Sequence, residues 1–350
     1  MKYKANLMAG IVLFGLIAMM MAGSSSAEYD VNRNLVVHTD GGDQSFPLSE
    51  VINLTFTMDL PDGMVAVSGG IFTMGDGVSA CGVDQREVTL TRNFFLGQHE
   101  VTNQEYLEAV QWAYDNGYVT ATTSSVMDNL DGSTVSLLNV GGGDSEIGFA
   151  AGEFFLRDAG HGINPEHPVK MVTWYGAVRF CDWLSLKAGL PRAYEHTGDW
   201  SCNGGDPYSA AGFRLPTDAE MEYACQYNDE RMYPWGNDVP ECDDANHDPD
   251  PMCIGWTTAV GAYPDAPAGM GLSDMGGNVR EWCNDWYLCD LGTEPEVDPA
   301  GPAEGTEHVV RGGSWYNDGH LEMRCADRNH WAPQTNNFRL GFRIAMTSAN

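Results

Sequence analysis

Nine cysteines are the residues of this sequence best suited to redox or metal chemistry. Their spacing does not resemble paired zinc knuckles, and an odd number leaves at least one thiol free or bonded to another chain. Two pairs are close enough in sequence to bond locally, namely Cys242 with Cys253 and Cys283 with Cys289. Catalytic use of a thiol requires an activated thiolate. Because the sequence offers no nearby basic partner, we expect structural roles for the cysteines.

One short loop brings Asp318, His320 and Glu322 together. Carboxylates and imidazoles are metal ligands, so this loop is one candidate metal site. The alternative is a solvated polar loop in a chain that is acidic throughout, and we favour this second interpretation.

Tryptophans form a further candidate group. Trp282 and Trp286 lie four residues apart and would share one face if that stretch is helical, where an aromatic wall suits a cation or a sugar. Packing in the core is the alternative, and we expect it for most of the aromatic residues.

The elements that must position these residues follow an α+β pattern. Capping boxes at Thr102 with Glu105 and at Thr217 with Glu220 predict two helix starts. A further helix is predicted from Trp174, ending at Gly189. Long segments rich in Gly, Pro, Asp and Asn need disulfides, metal ions or dense packing to hold them. Short apolar runs predict strands at 65–67, 71–74, 88–90, 94–96, 309–310 and 342–344. Residues 120–166 form either a long loop or an extra hairpin, with Val135, Leu137 and Leu138 as possible strand residues.

The composition is that of a globular protein with an acidic surface. Of 350 residues, 43% are hydrophobic, which is enough for one large domain or two modest ones. With 18 basic against 49 acidic residues, we expect no nucleic-acid partner and no anionic membrane surface. Calcium and cationic ligands are favoured, although the acidity could serve solubility alone.

The first 27 residues resemble a signal peptide. Lys2 and Lys4 precede an apolar run over 7–22, and small residues at Ser25 and Ala27 suit cleavage. An uncleaved anchor is the alternative, but the run is shorter than the roughly 20 residues that span a bilayer. We therefore expect a secreted, periplasmic or cell-surface protein with no membrane span in its mature chain. A polar leader and small β segment over 28–61 would precede the main domain, 62–350.

Several motifs in one order resemble the formylglycine-generating-enzyme (sulfatase-modifying-factor) family. The resemblance implies a C-type-lectin-like α+β fold with a small mixed sheet, two to three helices and a large loop content. The matching segments are Glu100-Val101-Thr102-Asn103, 168–174, 213–220, 233–236, 271–282, Arg311-Gly312-Gly313-Ser314-Trp315 and 341–343.

The family's oxidase chemistry is not expected in this chain. Family members oxidise a cysteine in sulfatase peptides with copper, held by two cysteines, and molecular oxygen. Soft thiolates suit Cu(I), but Asn317 occupies the first cysteine position and the loop that follows contains none. Ser314 matches, yet members of every activity share it. We therefore expect no copper. Trp315, Tyr316 and His330 lie in the loops that form the groove in the family, so they are the best exposed candidates for ligand binding, with His320 as a further loop candidate.

Calcium is the metal that the resemblance carries over more fully. One family site would use Asp274, the carbonyls of Gly277 and Val279, and Glu281; hard oxygen ligands of this kind suit Ca²⁺. The alternative is that Glu281 pairs with a core arginine, Arg343 or Arg311. A second site would use Asn246 and the carbonyl of His247, with Asp248 or Asp250 as the third ligand.

The resemblance also implies a disulfide between Cys225 and Cys325. Cys181 matches half of another family pair, but Ile344 occupies its partner position. Cys181 is then a buried thiol or bonds Cys202 or Cys81.

Two functions remain in competition. The first is a secreted, calcium-stabilised binding or structural module with a protein, peptide or glycan ligand. The second is an oxidoreductase, either a formylglycine generator or an enzyme with remodelled ligands.

Overall fold

The structure, a computed structural model, describes residues 63–78, 85–194, 200–227, 229–248, 252–316 and 319–348, and the course of five strands before them. The helices are α1 (Asn103–Asp115), α2 (Trp174–Ala188) and α3 (Asp218–Gln226). In chain order the strands are β1 (Lys4–Met8), β2 (Ser26–Tyr29), β3 (Asn34–His38), β4 (Gln44–Pro47), β5 (Asn53–Thr57), β6 (Met64–Val67), β7 (Ile71–Met74), β8 (Arg86–Thr89), β9 (Phe94–Gly97), β10 (Val119–Ala121), β11 (Ser125–Asp128), β12 (Ser136–Asn139), β13 (Ile147–Ala150), β14 (Glu153–Leu156), β15 (Phe213–Arg214), β16 (Arg280–Trp286), β17 (Glu296–Val297), β18 (His308–Arg311), β19 (Asn329–Trp331), β20 (Leu340–Gly341) and β21 (Ala345–Thr347).

Two four-stranded sheets form the centre of the domain. One has the order β15-β21-β9-β6 and is antiparallel throughout. The other has the order β19-β18-β16-β20, in which only the β16–β20 pair is parallel. Smaller sheets have the orders β17-β8-β7, β10-β11-β12 and β13-β14. The expected α+β fold with short strands and much loop is confirmed.

The three helices begin where the sequence predicts. Thr102 and Thr217 each accept a hydrogen bond from the amide of the glutamate three residues on, Glu105 and Glu220, in complete capping boxes. Thr173 caps α2, and Gly189 ends it at φ 69°, a left-handed conformation that glycine adopts without strain.

The main core lies between α1, α2 and the central sheets. Its largest fully buried side chains include Tyr106 of α1, Trp174 and Trp183 of α2, and Trp282 of β16. A second core packs α3 against β7, β8 and β9. Trp282 of β16 and Val310 of β18 both belong to the main core. These two strands pair antiparallel across a long connection that contains β17, and this pair, called the β16–β18 hairpin below, carries most of the candidate site.

The structure corrects one predicted element and decides one that was left conditional. Trp282 and Trp286 lie on strand β16, which pairs with both β18 and β20, so the condition of a helical stretch is not met. Residues 342–344 lie between β20 and β21 instead of forming a strand. Of the two alternatives for residues 120–166, the strands are present: β10 to β12 form one small sheet and β13 with β14 a hairpin.

The N-terminal predictions fall largely outside the described residues. Of the predicted signal peptide, 1–27, the structure describes only the course of β1 and the first two residues of β2. Strand β1 pairs with β5, and β2 pairs with β3. Within the part of the chain that is described, no helix combines the length and the apolar character that crossing a bilayer requires.

Candidate functional site

The hairpin of β16 and β18 sets the frame of the candidate site. Glu281 lies opposite Arg311 at one end of the hairpin, and Trp286 lies opposite His308 at the other. Gly312 and Gly313, both at positive φ, turn the chain out of β18 and into Ser314. Residues before β16 and after β18 therefore meet at the Glu281 end.

The loop after β18 contains Ser314 and the position expected for the first copper ligand. Asn317 and its neighbour Asp318 lie outside the described residues. Ser314 is buried, and its hydroxyl donates to the carbonyl of Tyr316 at 3.2 Å. This serine thus supports the backbone of its own loop.

The groove residues predicted to be exposed differ in their accessibility. Trp315 is only 4% exposed, because it packs on Trp256 with ring centroids 5.2 Å apart; its expected exposure was wrong. Tyr316 is half-buried and contacts Phe338. Trp315 therefore belongs to a small aromatic cluster beneath the loop.

Two histidines near this loop have separate environments. His320 is exposed and begins a 3₁₀ turn, His320–Met323. His330 on β19 stacks on Tyr287, with centroids 4.0 Å apart, and its Nδ1 lies 2.8 Å from Glu307. His330 is thus held by its own partners.

Three buried carboxylates gather around one arginine at the Glu281 end of the hairpin. Glu281 accepts two hydrogen bonds of 2.7 Å from Nε and an Nη of Arg343, so the predicted alternative of a core ion pair is present. Asp274 accepts from the amide of Gly261 at 2.6 Å. Glu100 has only long contacts, 3.4 Å from the amide of Val279 and 3.5 Å from Asn278 Nδ2.

The charges of this group do not balance. Burial raises the pKa of Glu100 well above its usual value, and the carboxylates of Asp274 and Glu281 raise it further. Burial also raises the pKa of Asp274, and Glu281 adds to this shift. One guanidinium faces three carboxylates, so the site favours an added positive charge.

The donor atoms in this region are of the kind that calcium takes. Calcium takes six to eight oxygen ligands, and carboxylates with backbone carbonyls are its usual protein donors. Asp274, Glu281 and the carbonyls of Gly277 and Val279 would hold it as the family resemblance implies. Glu100 is a further donor that the sequence reasoning missed, although its segment, Glu100-Val101, was part of the resemblance.

The present arrangement does not itself form a closed metal shell. Among the described residues, no group of three or more His, Cys, Asp or Glu side chains converges in a geometry that could hold a metal ion. Both oxygens of Glu281 are taken by Arg343. Calcium binding at this site would therefore require Glu281 to share its oxygens between the ion and Arg343.

A second oxygen-rich loop touches the first. Asn246 and His247 are buried, and the Asn246 carbonyl accepts from the amide of Asn278 at 2.8 Å. The side-chain Oδ1 of Asn246 is buried without a hydrogen-bond partner, which suits a cation ligand. A Cβ on Gly277 would lie 2.6 Å from the Asn246 carbonyl oxygen, so this close approach requires glycine.

Asp248 and Asp250 are the two candidates for the third calcium ligand of this second loop. The His247 carbonyl accepts from the amide of Cys253 at 3.2 Å. Asp248 is half-buried, whereas Asp250 lies outside the described residues. The disulfide between Cys242 and Cys253 closes the loop from both sides.

The cysteines have structural positions. The disulfide between Cys225 and Cys325 joins α3 to the segment before β19. Cys283 is a free thiol, so the local bond between Cys283 and Cys289 is not formed; Cys289 is bonded elsewhere. Cys181 and Cys202 are also free. Burial raises the pKa of all three free thiols, to about 12 for Cys202.

The fold and the motifs at the hairpin define an α+β domain of the formylglycine-generating-enzyme type. The chain belongs to the family described as the sulfatase-modifying factor enzyme 1-like domain, whose model matches residues 54–348.

Known proteins of several kinds share this domain. The chain is 29% identical to a formylglycine-generating enzyme of Thermomonospora curvata, covering 82% of this chain and 94% of that protein. It is 31% identical to the serine/threonine-protein kinase pkn1 of Chlamydia pneumoniae over 81% of this chain. The chain spans only 37% of the length of that kinase.

Solved structures share the fold at lower identity. The variable protein 1 of Treponema denticola is 24% identical with a TM-score of 0.58, covering 81% of this chain and 94% of that one. PvdO of Pseudomonas aeruginosa is 22% identical with a TM-score of 0.57, covering 82% and 94%. At these identities the likeness establishes the fold alone.

Proposed function

We propose that this chain is an exported binding or structural module on the formylglycine-generating-enzyme fold, stabilised by calcium and without the family's copper oxidase activity. The observation that carries the proposal is the distribution of cysteines. No cysteine stands between Cys289 and Cys325 in the sequence, where the family places its copper ligands. The free thiols of the described residues, Cys181, Cys202 and Cys283, are all buried.

Buried thiols are unsuited to replace the missing pair. To oxidise a peptide, the thiolates must bind the copper ion. They must also lie at the surface, where the peptide can reach them. Burial instead favours the neutral thiol at each of the three sites. Asn317 supplies an amide in place of a thiolate, and an amide is a poor ligand for Cu(I).

Calcium bound between the loops would stabilise the fold of this module. A divalent cation beside Glu100, Asp274 and Glu281 would neutralise the carboxylates that Arg343 leaves unbalanced. It would also join the segment before β16 to Glu100, which precedes α1. This role is structural, and the loops above it remain available for a ligand.

An oxidation assay tests the proposal. The purified full chain, loaded with Cu(I), is incubated with a cysteine-containing sulfatase peptide and oxygen, and formylglycine is measured by mass spectrometry. We expect no turnover above a metal-free control. Copper-dependent turnover above that control would overturn the proposal and favour the oxidoreductase alternative; a formylglycine-generating enzyme run in parallel shows that the assay detects the product.

A further inference from the structure

A cavity of about 270 Å³ opens at the Trp286 end of the β16–β18 hairpin. Trp286 and Glu281 are five residues apart on β16, which at about 3.3 Å per residue separates the cavity from the carboxylate group by roughly 16 Å. The cavity is therefore distinct from the proposed calcium site and from the Ser314 loop.

His308 presents an unsatisfied acceptor at this cavity. Its ring lies between those of Trp174 and Trp286, with centroids 3.8 and 3.7 Å away. Nδ1 lies 3.1 Å from the carbonyl oxygens of both Asn284 and Asp285. Because carbonyls only accept, Nδ1 carries the proton and Nε2 bears a lone pair.

The other nitrogen of His308 has no partner within the protein. Nε2 is buried and makes no hydrogen bond, while His308 lines the cavity. Burial lowers the pKa of His308 to about 3, so the ring is neutral and Nε2 stays an acceptor. A buried acceptor without a donor is costly, and a ligand hydroxyl would satisfy it.

Tryptophans are the largest side chains among the described residues that line the cavity. Trp174, Trp200 and Trp286 line it, with Asn284 among them. None of the described lining residues is Asp, Glu, Lys or Arg, although 49 residues of the chain are acidic. Together with the neutral ring of His308, this part of the lining favours a neutral ligand.

The mouth is open and the interior is small. Gly204, Gly205 and Ala303 at the rim are exposed and carry no long side chain. Pockets for drug-sized ligands enclose about 300–1,000 Å³, so this cavity accommodates about one ring.

We propose that this cavity binds one neutral pyranose unit of a glycan, which packs against the edge of the Trp174–His308–Trp286 stack and donates a hydroxyl hydrogen bond to Nε2 of His308. A pyranose ring offers C–H groups for contact with the indole rings, and hydroxyls at its edge. The proposal deepens the binding role proposed above and rests on it, since it names the site and the ligand class.

The test is a titration of the full chain with neutral methyl pyranosides of glucose, galactose, mannose and N-acetylglucosamine, followed by saturation-transfer NMR and calorimetry. We expect saturable binding of at least one sugar. Trp286→Ala should weaken it at least tenfold, and Ala303→Phe, which fills the mouth without disturbing the stacked rings, should do the same.

Matched variants identify the site. Ala303→Ser keeps the mouth open, and Trp235→Ala removes a tryptophan that does not line the cavity, so both should bind sugar as the wild type does. Their melting temperatures are compared with those of the test variants, so that loss of binding is separated from loss of fold.

Three results would overturn the inference. The first is that no sugar binds saturably, and the second is that Ala303→Phe leaves sugar binding unchanged. The third is that indole or p-cresol binds instead of the sugars, which would assign the cavity to an aromatic peptide side chain. None of these touches the proposed function, whose failure would appear as copper-dependent turnover.

Discussion

Arg343 donates two hydrogen bonds of 2.7 Å to the two carboxylate oxygens of Glu281, and neither side chain reaches solvent. The same guanidinium also contacts the carbonyls of Ser273 and Asp274 at 3.1 Å. This one residue therefore ties β16 to the loop that would hold calcium.

Removing Arg343 should be strongly destabilising. Arg343→Met leaves Glu281 buried and unpaired beside Glu100 and Asp274, so we expect a loss of about 3–5 kcal/mol in the free energy of unfolding. Urea denaturation in chelator measures it. Arg192→Met is the control, because its ion pair with Asp131 is partly exposed and should matter by less than about 1 kcal/mol. Equal losses in the two variants would contradict the assigned role of Arg343.

The disulfides should contribute according to the loops that they close. Cys225 and Cys325 are 100 residues apart, whereas Cys242 and Cys253 are 11 apart. Loop entropy alone predicts about 4.7 kcal/mol for the first bond and roughly 2 kcal/mol less for the second. Paired Cys→Ala variants, denatured in chelator, measure both contributions. A larger loss for the short loop would show that it holds structure beyond its entropy.

The free thiols should be unreactive in the folded protein. Cys181, Cys202 and Cys283 are buried, and burial raises their pKa values, so a thiol reagent meets neither exposed sulfur nor thiolate. Labelling of native protein at pH 8 should leave these three sites unmodified, and labelling in denaturant should modify all three. Peptide mapping distinguishes the sites, and rapid native labelling of any of them would contradict its placement.

Asp285 should make stability fall as pH rises. Burial raises the pKa of Asp285 to about 8, and the carboxylate of Asp218 adds to the shift. The unfolded value is about 3.9. The folded state thus keeps a proton that the unfolded state releases, and the contribution of Asp285 is lost as pH rises through about 8.

Asp285→Asn tests this dependence. The amide stays neutral, so the variant should gain stability relative to the wild type as pH rises from 4 to 8, measured by urea denaturation at intervals of pH. Asp290→Asn, at an exposed position, is the control and should follow the wild-type curve. If the Asp285→Asn curve also runs parallel to the wild-type curve, Asp285 is not a protonated carboxyl in the folded protein, which contradicts the prediction.

Local signals in the sequence predicted where the helices begin and end. The secondary structure that these signals did not predict depends on long-range packing. The capping boxes at Thr102 and Thr217 and the glycine at Gly189 are local, and each helix ends or begins there. The four-residue spacing of Trp282 and Trp286 fits one face of a helix and one face of a strand equally. Only the pairing of β16 with two neighbours decides between them.

The candidate site likewise combines residues that local sequence signals identify with residues that only the folded chain brings together. Motif order identified Asp274 and Glu281, because they are close in sequence. Glu100 joins them from 174 residues before Asp274, and the charge imbalance that makes the site favour a cation is visible only when the chain is folded. The Trp174–His308–Trp286 stack was likewise missed, since its members come from α2, β18 and β16.

Melting of the full chain in calcium and in chelator, for the wild type and for Glu100→Gln, tests the central claim most directly. Ligand binding at 100 times Kd stabilises a protein by about 2.7 kcal/mol, so calcium should raise the wild-type melting temperature by a few degrees. In chelator, Glu100→Gln should melt at or above the wild type, because it removes a carboxylate repelled by Asp274 and Glu281, and its calcium response should shrink. A wild type that melts at one temperature in both buffers would contradict the account, as would a Glu100→Gln variant whose calcium response is undiminished.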